Sequence, residues 1–301
     1  MISWQARALN LFLKQTVKRS IENTKDVNKL RFQMRALDKF VFGTSSNIER
    51  SQSMREGTLC DEIKLKFSNS KKKLLYVHGG AFVFKTPAIH NNFIARLAEP
   101  LDLHAIVPDY PLAPEYPFPA ALDSCYVIYK SLLDAGTLPE DIIIAGDSAG
   151  GNIALSLLLR ARRNGLPMPN CCVLISPVAD MTQSGLSSVE NRYSDALFSL
   201  DVMLYCRNLY LEGANHDLHN EEISPLFADF TGLPPFMFHA GSTELMRDDS
   251  TRLAEFMQAH GVETHLQVWR EMPHVFPLFE QLPESKAALQ QIVDFIKKQQ
   301  N

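Results

Sequence analysis

One stretch constrains the chain more than any other: Asp141-Ile142-Ile143-Ile144-Ala145-Gly146-Asp147-Ser148-Ala149-Gly150-Gly151-Asn152-Ile153-Ala154-Leu155. A short β-branched run leads into Gly-Asp-Ser-Ala-Gly, and a helical pattern follows from about residue 149 to 162. Gly-x-Ser-x-Gly between a strand and a helix is a sharp turn that lifts one serine hydroxyl above the end of a sheet. The glycines lack a Cβ, so the backbone there can approach its neighbours closely. The helix N-terminus behind Ser148 favours negative charge. The motif alone is common; the flanking strand and amphipathic helix make Ser148 a candidate nucleophile. Serine is a weak nucleophile without help, so the rest of the chain must supply a base, an orienting acid and hydrogen-bond donors for an oxyanion.

The remaining pattern says what carries that turn. From Thr58 onward short β-type runs alternate with helical ones. Strands are expected at 59–67, 73–77, 105–107, 141–145, 171–175, 235–239 and 265–269, and helices at 91–101, 119–135, 149–162, 249–259 and 285–299. Continuous apolar runs such as Leu74-Leu75-Tyr76-Val77 and Val173-Leu174-Ile175 suit strands buried on both faces. The expectation is an α/β fold, a mostly parallel central sheet with helices on both faces, whose ligands bind beyond the carboxyl ends of the strands.

Two regions interrupt the alternation. Residues 1–55 read as helical, with amphipathic segments at 3–21 and 27–42, the second closed by Gly43. Residues 180–232 run some fifty residues without a strand, with helices expected at 189–195 and 200–211; a stretch that long reads as an insertion. The expected organisation is an N-terminal helical cap segment over 1–55 and a catalytic domain over 56–301, with 180–232 as inserted cap helices. For the N-terminal helices a lid is the preferred reading, with plain packing or contact with a lipid surface as alternatives.

Composition excludes several classes. A net charge of −4 argues against a general nucleic-acid surface. No apolar run reaches the ~18 residues of a membrane span, and Arg7 and Lys14 interrupt the only N-terminal apolar stretch, unlike a secretory signal. Five cysteines, an odd count, suggest reduced thiols and a cytoplasmic location. His216-x-x-His219 lies in a polar loop without further obvious ligands, so no metal site is expected there.

Three later loops carry candidate chemistry. His78-Gly79-Gly80-Ala81-Phe82 follows a buried strand, and its glycines let backbone N–H groups face a cavity; Gly79 and Gly80, with Ala149, are the expected oxyanion donors. His78 precedes Ser148 and is assigned to bracing that loop. Asp109 to Pro119, with prolines at 111, 114, 117 and 119, is read as rigid scaffold anchored by Asp109 and Glu115. Among Glu244, Asp248 and Asp249 the acid is expected to be Glu244, nearest its strand end; Asp248 is its rival, and helix capping is the other reading of the later pair. His274, on the last strand-end loop, is the expected base, which completes the chain order serine, acid, histidine.

With these residues placed, the chain resembles the hormone-sensitive-lipase-like branch of the α/β-hydrolases, the group of bacterial esterases and arylacetamide deacetylases. His78-Gly79-Gly80-Ala81-Phe82 is similar to that family's His-Gly-Gly-Gly loop, Asp109-Tyr110-Pro111-Leu112-Ala113-Pro114-Glu115 to its Tyr-Arg-Leu-Ala-Pro-Glu loop, and Gly146 to Gly150 to its elbow. Ala81 replaces the third glycine and adds a methyl beside the acyl pocket; Glu244 stands where an Asp is common. The resemblance implies an α/β-hydrolase fold, a helical cap and a serine-dependent carboxylic-ester hydrolase for short to medium acyl chains. The chemistry of Ser148, His274 and Glu244 requires no metal or organic cofactor, the expected partner is a small-molecule ester, the hydropathy argues against stable membrane insertion, and the resemblance implies a homodimer. Amidase or acyltransferase chemistry uses the same residues and stays open. A non-catalytic receptor on this fold, as the gibberellin receptors resemble, would lack the base, and His274 is present.

Overall fold

A computed structural model describes residues 2–22, 24–39, 45–212 and 216–300. Eight strands form one sheet in the order β1-β2-β4-β3-β5-β6-β7-β8. They are β1 (Ile48–Arg55), β2 (Thr58–Leu65), β3 (Lys73–Val77), β4 (His104–Pro108), β5 (Ile142–Asp147), β6 (Cys171–Ile175), β7 (Phe236–Gly241) and β8 (Thr264–Trp269). From β4 through β8 every pairing is parallel; β1 and β2 add an antiparallel edge.

Strand periodicity divides the core in two. Leu75, Val77, Ile142 and Ile144 face one layer, where α5 (Ala120–Asp134), α6 (Ser148–Arg163) and α9 (Arg247–Ala259) pack. Leu74, Tyr76, Ile143 and Ala145 face the other, against α4 (Pro87–Ala98) and α10 (Pro283–Gln299). Because both faces are covered, the central strands carry apolar residues without alternation, as their sequences required.

β1 corrects the expectation of helix through residue 55. Residues 48–55 form an edge strand of which only Ile48 is buried. Its residues face solvent on both sides, so no apolar periodicity marked it. Arg55 pairs with Thr58 across a turn in which Glu56 and Gly57 have φ of 48° and 78°, the positive pair that two-residue hairpin turns prefer. The boundary expected at 55/56 falls inside that hairpin.

The N-terminal helices are α1 (Trp4–Phe12), continued by a π-helical turn (Leu13–Lys18) and α2 (Arg19–Ile21), then α3 (Val27–Leu37). The second helix was expected through 42; Phe40, Phe42 and Gly43 lie outside the described residues. The insertion contributes α7 (Ser187–Glu190), shorter than the helix expected at 189–195, and α8 (Leu200–Tyr210). Polar side chains end α7: Asn191 donates to the carbonyls of Ser242 and Glu244, and Asp195 accepts from the N–H groups of Leu197 and Phe198. The two regions dock on each other. Lys14 and Lys18 donate to the carbonyls of Tyr193 and Asp195, and Tyr205 to that of Lys25.

Candidate active site

Ser148 opens α6 with φ of +52°, a left-handed conformation that L-residues rarely adopt. The turn is tight enough that a Cβ at Gly150 would lie 2.1 Å from the Val77 carbonyl oxygen; only glycine permits this approach of α6 to β3. Asp147, the last residue of β5, points back into the protein.

The loops after β7 and β8 bring their side chains to the same point. His274 Nε2 lies 2.9 Å from Ser148 Oγ, and its Nδ1 lies 2.8 Å from Glu244 Oε2. The other carboxylate oxygen, Oε1, accepts from Ser176 Oγ at 2.8 Å and from the Gly241 N–H. With Nδ1–H donating to Glu244, the Nε2 lone pair faces the serine hydroxyl. Asp248 and Asp249 do other work: Asp248 accepts from the Ser187 N–H, and Asp249 from those of Ala179 and Asp180. Both sit in the first turn of α9 and brace the start of the insertion.

The loop after β3 departs from expectation at one donor. The Gly79 N–H donates to Asp147 Oδ1 at 2.9 Å, so it is already engaged. The N–H groups of Gly80 and Ala81, one residue further along, donate to no group among the described residues. Ala149, in the first turn of α6, has no carbonyl of its own helix within reach. Gly80 has φ of +133°, and a Cβ there would meet the Phe84 carbonyl oxygen at 1.9 Å. His78 braces this loop, with Nδ1 2.7 Å from the Gly79 carbonyl oxygen and its ring stacked on Tyr110 at 4.2 Å. Tyr110 OH donates to the His78 carbonyl. The scaffold loop also holds α3: Arg31 donates to the carbonyls of Val83 and Ala113 and forms a two-pronged ion pair with Glu115.

Comparison with known proteins decides the family. A sequence model of the α/β-hydrolase fold matches residues 74–278, more than half the chain. The chain belongs to the α/β-hydrolases. An esterase of Acinetobacter venetianus is 37% identical over 242 residues, covering 79% of this chain and 78% of that one. An esterase from the bacterial hormone-sensitive lipase family superposes with a TM-score of 0.91 over 100% of both chains at 30% identity. The esterase EstE5, in a crystal soaked with p-nitrophenyl butyrate, does so with a TM-score of 0.91 at 32% identity, over 99% of each chain. The hydrolase therefore sits in the hormone-sensitive-lipase branch, and its enzyme class is carboxylesterase.

In this hydrolase the histidine and the carboxylates are tuned by opposing effects. Burial disfavours a charged His274, but the bonded Glu244 carboxylate and the charges of Asp195 and Asp147 outweigh it and hold the imidazole above its ordinary value. Burial raises the Glu244 carboxyl, against its hydrogen bonds from His274, Gly241 and Ser176. Asp147 is almost fully buried, yet the nearby His90 and the donors Tyr76 and Gly79 keep its carboxyl below the usual range. Burial pushes His78 down to about 4, so it stays neutral. The motif spacing gave no sign of Asp147, Ser176 or Asn191; a charged residue inside an otherwise apolar elbow was the one available signal.

Two small apolar cavities flank Ser148. One, of about 50 Å³, is bounded by Gly80, Ala81, Phe198 and His274, with Met34 and Leu37 of α3. The other, of about 40 Å³, is bounded by Ala81, Val178, Met181, Phe198, Val202 and Met246. Ala81 and Phe198 line both and separate them. Among the described residues the five cysteines are buried and unpaired, and no helix is long and apolar enough to cross a membrane. His219 bonds Asp217, and His216 packs edge-on to Phe118.

Proposed function

We propose that the chain hydrolyses carboxylic esters of short to medium acyl chains through an acyl-enzyme on Ser148. The observation that carries this reading is the unbroken hydrogen-bonded series Glu244–His274–Ser148 beside spare backbone donors. His274 Nε2 takes the hydroxyl proton as Oγ attacks the ester carbonyl carbon. The oxyanion accepts from the N–H groups of Gly80, Ala81 and Ala149. His274, oriented by Glu244, passes its proton to the leaving alcohol as the carbonyl re-forms. A water molecule then repeats the sequence, giving up a proton to His274 and releasing the acid and the free serine.

The α1–α3 helices and the insertion act as the cap. Met34 and Leu37 from the first and Val202 and Met203 from the second line the two cavities, so closing them over substrate excludes water. Cavities this small favour short acyl groups.

The test is turnover of p-nitrophenyl butyrate by the wild type and by Ser148→Ala. The wild type should turn it over with a stoichiometric burst where deacylation limits, and the variant should lose roughly 10⁴-fold or more in kcat. Equal rates in the two proteins would overturn the assignment of Ser148.

A further inference from the structure

A third cavity adjoins the one that holds His274. It measures about 330 Å³ and is walled by Leu9 and Phe12 of α1 with Leu37, Ile89, Leu278 and Phe279. The last four residues also bound the His274 cavity. The two chambers therefore meet across a single layer of apolar side chains, and neither Leu37, Ile89 nor Phe279 is fully buried. Together they approach the size of a small-molecule site, whereas the chamber on the other side of Ser148 stops at about 40 Å³.

Proton transfer tells the two sides apart. The departing oxygen must lie within hydrogen-bond reach of His274 Nε2. His274 lines the first chamber and not the opposite one. The alcohol portion thus belongs with the large apolar space, and the acyl portion with the small one.

We infer that the His274 chamber and the outer chamber form one binding site for a long or bulky apolar alcohol. The preferred substrates are then esters that pair a short acyl group with a hydrophobic alcohol. This rests on the esterase reading above and sharpens its substrate class. Each methylene transferred from water into such a space favours binding by roughly threefold to fourfold, and α1 supplies the outermost wall.

The experiment compares kcat/KM along two matched series, acetates from ethyl to octyl alcohol and ethyl esters from acetate to octanoate. The alcohol series should rise at least about tenfold while the acyl series falls. Leu9→Trp fills the outer chamber at a partly exposed position that lines neither cavity beside Ser148. It should cut octyl acetate turnover about tenfold and leave ethyl acetate within about twofold. Gln5→Trp, also on α1, narrows the same chamber if the first variant misfolds. A flat alcohol series, or equal loss on both acetates in a folded variant, overturns the inference while ethyl acetate hydrolysis upholds the esterase reading. If no ester is hydrolysed that reading fails, and calorimetric titration of 1-octanol tests the chamber by itself. Binding that weakens about tenfold in Leu9→Trp supports the site, and absent or unchanged binding overturns it.

Discussion

The backbone N–H of Gly79 donates to the carboxylate of Asp147 across 2.9 Å, fastening the loop after β3 to the elbow that presents Ser148. The same carboxylate accepts from Tyr76 OH at 2.9 Å and lies 3.1 Å from His90 Nε2. One buried anion therefore sets the distance between the serine and the N–H groups of Gly80 and Ala81. Asp147→Ala should destabilise the protein by about 3–5 kcal/mol, because it leaves His90 and a buried N–H without their partner. Urea unfolding measures this. A double-mutant cycle with His90→Ala should return a coupling of about 1–3 kcal/mol; additive effects would show that the pair does not act as a unit.

Glu244 and His274 predict the acid side of the activity profile. On the proposed mechanism His274 is the base and works only when neutral, so kcat/KM rises with pH through its pKa. Since Glu244 holds that value up, the midpoint should lie above the ~6.5 of an unperturbed imidazole. Glu244→Gln removes the charge, should lower kcat by roughly 10³–10⁴-fold, and should move the remaining midpoint down. A midpoint that stays in place in the variant would mean that Glu244 does not set it.

Ala81 adopts φ of +51° and lines both cavities beside Ser148. Glycine takes that conformation without a steric penalty and removes one methyl from the partition. Ala81→Gly should keep butyrate hydrolysis within about twofold and raise kcat/KM on branched acyl esters by roughly threefold to tenfold. Unaltered discrimination between butyrate and a branched ester would rule the methyl out as a selectivity element.

His239 accepts from Trp269 Nε1 at 2.9 Å, and burial pushes its pKa down to about 4, as it does for His78. Above pH ~6.5 both are neutral in folded and unfolded chains alike. Between there and about 4 the unfolded chain binds protons that the folded one refuses, so each costs on the order of 3 kcal/mol of stability as the pH falls. His90 and His274 are raised, so their contribution is lost only as the pH rises through their folded values above ~6.5 and is already in place across this window. Asp249, which burial raises to about 7, acts in the opposite sense, so the informative quantity is a difference between proteins. Denaturant unfolding of His239→Gln and wild type should show the stability gap shifting in favour of the variant from pH 7 to 4.5. Parallel curves would contradict a neutral buried His239.

Much of the architecture was written locally. The apolar runs of β3, β5 and β6 required a sheet covered on both faces, and strand, tight glycine turn and helix in succession required an elbow at Ser148. The edge strand β1 left no trace, because a segment solvated on both faces needs no apolar alternation. Its place came from pairing with β2 around Glu56-Gly57.

The sequence by itself determined the parallel strands of the sheet, the elbow and the order of the loops that carry Ser148, the acidic residues and His274, since each of these segments is marked by residue types within a few positions of one another. Only the tertiary structure decided which carboxylate reaches His274 and which N–H groups are spare. Glu244, Asp248 and Asp249 lie within six residues, and their fates diverge through partners far along the chain: His274 for the first, Ser187 for the second, Ala179 and Asp180 for the third. Gly79 and Gly80 are likewise indistinguishable as neighbours. Asp147, brought across from the end of β5, engages the first and leaves the second free. A hydrogen bond is satisfied once, by whichever group the fold delivers within about 3 Å, and that delivery is a property of the packed chain.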